Sequence, residues 1–198
     1  MEPAKFNFKI YQGSTFTETL RWESELNKYA TISAITKAAP CVITTSAAHG
    51  VPLNWRIWVR GAGGMKEINS SDDDNYYTVT AKTDTTLTLQ QVNSSGYATY
   101  TSGGVVEYNT PIPLAGYTAQ MQIRETLESN TVIAELTSAN GGVLIDVANN
   151  TISINITSAI TTNFTFDTAV YSCELTDSSS RVIPFLRGNV TLIKEVTR

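Results

Sequence analysis

AVYSCELTD, residues 169–177, decides the fold class. Ala169, Tyr171, Cys173 and Leu175 fall at every second position, with Val170, Ser172, Glu174 and Thr176 between them. A period of two is a strand with one face buried. A helix would space its apolar residues three and four apart. The same period recurs on both sides of this stretch. After the loop Ser178–Ser180, residues 181–187 and 189–196 read as two closing strands. Before it, 117–124 alternates Tyr117, Ala119, Met121 and Ile123, and 132–136 is a further strand. Residues 143–147 and 151–156 form a hairpin around Asn149-Asn150. Ser158 to Asn163 reads as one short helical turn. At the N-terminus, 5–11 puts Phe6, Phe8 and Ile10 on one face, and 15–22 puts Phe16, Leu20 and Trp22 on one face. The turn Gln12-Gly13-Ser14 between them predicts a hairpin.

Between these flanks lies a block of shorter strands. Trp22 to Lys28 is polar and charged and reads as a connection. Strands are expected at 30–36, 41–45, 55–60, 65–69, 75–82, 86–92 and 105–108. Gly61–Gly64, Ser70–Asp74 and Asn93–Gly96 lie at the bends. Strands this short and this frequent make a small barrel or sandwich.

Composition agrees. Of 198 residues, 29 are threonine, a β-favouring type, and only 16% are charged. With 41% hydrophobic and 9% aromatic residues, the chain is too apolar to be wholly disordered. A net charge of −4 argues against a nucleic-acid binder that works by neutralising phosphates. The apolar runs are too short to span a bilayer, and MEPAKFNFKIYQG lacks a signal-peptide pattern, so maturation in a cytoplasm is expected.

Two sets of motifs resemble known families. His49-Gly50-Val51, Trp55–Val59, Gly63-Gly64-Met65-Lys66-Glu67-Ile68-Asn69, Tyr77-Thr78-Val79, Thr85–Leu89 and Ser102-Gly103-Gly104 follow one another across 31–108. This resembles the small β module named after the first catalytic-cysteine half-domain of the ubiquitin-activating enzyme, which recurs in phage tail and virion proteins. No thioester chemistry carries over, because Cys41 has no base near it in sequence. The flanks resemble the N-terminal domain type of phage baseplate upper proteins. The motifs are Gly13–Phe16, Ile112–Ala119 with Met121–Arg124, Val170–Asp177 and Gly188–Thr191.

Together these imply an all-β chain. An immunoglobulin-like β-sandwich docking domain (1–29 plus 109–198) would carry a small β-barrel-like module (30–108) inserted in one of its loops. The resemblance implies a structural component of a tailed-phage virion, assembled in the bacterial cytoplasm. It would dock tail, neck or baseplate parts, such as a fibre or tailspike. The expected partners are other virion proteins and further copies of this chain, in a homo-oligomer or symmetric ring, and neither nucleic acid nor membrane. A capsid cement protein, a host-glycan binder and a cell-wall enzyme are the other readings.

Few residue types here carry chemistry. Cys41 and Cys173 read as buried thiols without a disulfide framework. His49 reads as a turn histidine bonding its own loop. Asp72-Asp73-Asp74 lacks the alternate spacing of a calcium loop. Gly61-Ala62-Gly63-Gly64 lacks the Lys-Ser/Thr of a phosphate loop and is expected to lead into a strand. Trp55, Trp58, Tyr76, Tyr77, Tyr97 and Tyr100 could stack sugars, with Trp58 foremost because alternation sets it opposite Trp55. No nucleophile elbow and no His-Glu-x-x-His occur. Catalytic residues, cofactors and metals are therefore expected to be none.

Overall fold

The computed structural model describes residues 2–195. In chain order the strands are β1 (Ala4–Lys5), β2 (Phe8–Tyr11), β3 (Phe16–Arg21), β4 (Glu23–Ile35), β5 (Cys41–Thr45), β6 (Arg56–Arg60), β7 (Tyr77–Thr78) and β8 (Ala81–Lys82). They continue as β9 (Thr86–Leu89), β10 (Val105–Pro111), β11 (Thr118–Arg124), β12 (Ala134–Thr137), β13 (Val143–Asp146), β14 (Thr151–Ile156), β15 (Thr168–Thr176) and β16 (Val182–Ile193). The α-helix among the described residues is a single turn, α1 (Ser158–Thr161). The chain divides into two units, residues 1–22 with 113–198, and residues 23–112.

In the first unit the alternation read at 169–177 becomes β15, the inner strand of a sheet ordered β1-β16-β15-β11-β12. Both β1 and β2 run parallel to β16, and the other pairs are antiparallel. A second sheet is ordered β13-β14-β3. Met121, Ile123, Tyr171, Cys173 and Leu175 of the first sheet share one buried cluster with Ile152, Ile154 and Ile156 of the second. Two facing sheets of this order, with the first strands beside the last, make an immunoglobulin-like sandwich.

Two local expectations differ here. The predicted N-terminal hairpin does not form. β2 pairs with β16 (Ile10 with Leu192), and β3 pairs with β14 (Leu20 with Ile152). Gly13, at φ +77°, therefore carries the chain from one sheet to the other. The two closing strands are one strand, β16. Gly188 reads as a break in sequence but lies within the ladder opposite Tyr171. A Cβ there would collide with the Phe6 carbonyl oxygen, so glycine admits the crossing backbone. The predicted strand end at Val196 lies outside the described residues.

The second unit is a seven-stranded sheet, β7-β6-β10-β4-β5-β9-β8. Trp55, Ile57, Val59, Val106, Ile43, Leu87 and Leu89 fill its core. The expected barrel-like module is an open sheet: among the described residues no sheet closes into a barrel. Instead Val79 and Thr80 join β7 on one edge to β8 on the other, bonded to the Trp55 and Thr88 carbonyls. The strand expected at 65–69 is a 3-10 turn, Lys66–Ile68, that drops Met65 and Ile68 into the core. Residues 75–82 split into β7 and β8.

The polar connection expected at 23–28 is strand. Glu23, Asn27, Lys28 and Tyr29 pair with Pro111, Asn109, Tyr108 and Glu107 of β10. Residues 25–29 are exposed, so no apolar period marks them. The second unit accordingly begins at Glu23 and ends at Ile112, wider than the expected 30–108.

Candidate functional site

The aromatic residues of the second unit are mostly covered. Trp55 is fully buried, and its indole N–H donates to the Asn109 carbonyl at 2.6 Å. Trp58 points to the other face of β6 yet is only 7% exposed. Its N–H donates to the Asp73 carbonyl at 2.9 Å. Tyr76 packs edge-on against it at 6.4 Å, and the Arg56 guanidinium lies 5.5 Å from the Trp58 ring and 5.9 Å from the Tyr76 ring. A ring covered in this way presents no open face to a sugar. Tyr77, Tyr97 and Tyr100 pack half-buried against the core, and the Tyr100 hydroxyl donates to the Ile32 and Gly103 carbonyls. Tyr76 is the exposed member of the group, at 48%.

His49 is buried. Its Nδ1 accepts the Val51 N–H at 2.9 Å, and its Nε2 lies 3.3 Å from the Thr86 carbonyl, to which it can only donate. The Tyr108 hydroxyl donates to the His49 carbonyl. The ring thus clamps its own turn, and both nitrogens are occupied. Asp72 accepts the backbone N–H groups of Asp74 and Asn75, and its carboxyl is held below the usual range, first by the Ser71 hydroxyl. Asp73 pairs with Arg60 at 2.8 Å. Among the described residues no group of three or more His, Cys, Asp or Glu is gathered as for a metal. The Gly61–Gly64 run enters the 3-10 turn rather than a strand, and the Asn69 side chain bridges the Ala62 N–H and carbonyl.

Cys41 and Cys173 are free and buried, one in each unit. Burial pushes the Cys173 thiol up to about 12, with Glu174 adding to it. Burial raises Cys41 as well, against a hydrogen bond with Ser94. Thiols held protonated in this way are poor nucleophiles. Among the described residues no helix is long and apolar enough to cross a membrane.

What the structure adds is the polar outer surface of each unit. On the second, Arg60 Nε reaches Glu107 at 3.1 Å, Asn27 donates to Glu107, and Arg56 holds Glu23 at 2.7 Å. These ties link β6, β10 and β4. On the first, Gln120 and Gln122 both donate to Glu135, at 2.8 and 3.0 Å, and Arg124 donates to Gln122 and to the Ser129 carbonyl. Those glutamine bonds keep the Glu135 carboxyl below its ordinary range. Sequence shows these residues only as the polar half of an alternation. Their cross-strand partners follow from register, which alternation does not specify. No family model matches the chain, and no curated protein matches it.

Proposed function

We propose that this chain is a structural component of a tailed-phage particle that docks one part of the tail, neck or baseplate to another. One observation carries the reading. His49, both cysteines, Trp55 and Trp58 are spent on holding turns and cores, while the outer sheet surfaces, polar across β11 and β12 and carrying the exposed Leu26 and Tyr29 on β4, stay open to a partner. Flat sheet faces and edge strands suit shape-matched contact between subunits, and symmetric particles multiply weak contacts through avidity. The motif resemblance at 31–108 and in the flanks supplies the particle context.

A capsid cement role draws on the same surfaces, and copy number separates the two. A tail or neck component matches one symmetric ring per particle, and a cement protein matches the capsid subunits. Quantitative mass spectrometry of purified particles tests this. Peptides of this chain at ring stoichiometry support docking, stoichiometry near that of the capsid protein moves it to the shell, and absence from particles overturns the reading. The glycan reading loses its main residue, because Trp58 is covered by Arg56 and Tyr76.

A further inference from the structure

We infer that the outer face of the β16-β15-β11-β12 sheet is a self-complementary surface that pairs with a second copy of this chain about a two-fold axis. The register fixes the pattern. Across these four strands one row reads Arg187, Ser172, Gln122, Glu135, each paired with the next. A cation stands at one end of the row and a carboxylate at the other. Rotation by 180° about a line lying in the interface, running between β15 and β11, reverses strand order and keeps position along the strands. Arg187 then meets the second copy's carboxylate at position 135, and Ser172 meets its amide at position 122. The next row, Pro184, Glu174, Gln120, Thr137, behaves in the same way. Glu174 faces an amide rather than its own counterpart. No like charges meet in either row, as an isologous contact requires.

The charges at the row ends are available. Arg187 is 57% exposed, and the acid it holds, Glu2 at 2.8 Å, is itself 81% exposed and displaceable. Among the described residues no cation pairs with Glu135 or Glu174, and no carboxylate pairs with Lys5, which lies beside Arg187 on β1. Two shallow depressions lie in the face. One of about 210 Å³ is lined by Lys5, Leu127, Val170 and Arg187, and one of about 180 Å³ by Gln120, Gln122, Ser172 and Glu174.

The test is sedimentation of the full chain, and it reads association in pure solution, so its outcome is separate from that of the particle assignment. Wild type is expected to be a dimer at low salt that dissociates as salt screens the end charges. Glu135→Lys and Arg187→Glu, each checked for native circular dichroism, should raise the dimer dissociation constant about 100-fold by placing like charges together. The double variant restores opposite charges and should return to near the wild-type value. A wild-type monomer at low salt overturns the proposal. So does a dimer indifferent to both single reversals, or a double variant no tighter than the singles.

Discussion

Glu23 and Pro111 are cross-strand partners, so the chain enters and leaves the second unit side by side on the β4–β10 ribbon. Adjacent ends are what let a guest unit sit within a loop of a host without straining either. Residues 23–112 expressed alone should therefore give a soluble β-protein with a cooperative unfolding transition. Residues 1–22 joined to 113–198 by a short Gly-Ser bridge should do the same. An insoluble or non-cooperative product from either piece, followed by circular dichroism, counts against independent units.

The covered tryptophan gives a second test. Trp58→Ala removes a buried ring and takes from Arg56 and Tyr76 the indole they both pack on, at a cost of about 3 kcal/mol in the second unit. Denaturant unfolding reads this directly. Arg56→Ala should cost less, about 1 kcal/mol. Glycan-array signal lost with Trp58 while the unfolding midpoint stays unchanged would show that the ring is a binding surface after all.

His49 anchors its turn through both nitrogens, and the Val51 N–H has the ring as its partner. His49→Ala should cost about 1–3 kcal/mol by leaving that buried donor unmade. Wild-type stability of this variant would refute the clamp.

The thiols predict an alkaline limit. A thiol is charged when deprotonated, and Cys173 is held up to about 12 in the fold. In the unfolded chain it titrates at about 8.5. Its contribution is therefore intact below the unfolded value and lost as pH rises toward 12, at up to about 1.4 kcal/mol per pH unit. Cys173→Ala should start less stable and show a shallower fall of the thermal midpoint above pH 9. Both thiols should resist a water-soluble thiol reagent until denaturant is added. A non-reducing peptide map should show no Cys41–Cys173 bridge.

The alternation at 169–177 was enough to read strands and a buried face, because period two is imposed residue by residue. Pairing was not legible. The turn at Gly13 looks the same whether it closes a hairpin or passes between sheets, and the choice was made by contacts with β16 and β14 far along the chain. Glu23–Lys28 hid as a connector because residues 25–29 are exposed, so nothing forces an apolar period there. Gly188 looked like punctuation, since its reason, the Phe6 carbonyl, is remote in sequence. Alternation along 55–60 does set Trp58 on the face opposite Trp55. Its cover came from Arg56 two residues away and from a tyrosine beyond the Asp72–Asp74 loop, and that fold-back leaves no local signal.

Electron microscopy of particles assembled by a phage from which this chain has been deleted tests the docking role most directly. Such particles should lack a discrete tail, neck or baseplate component and regain it when the purified chain is added. Complete and infectious particles made without the chain would contradict that role.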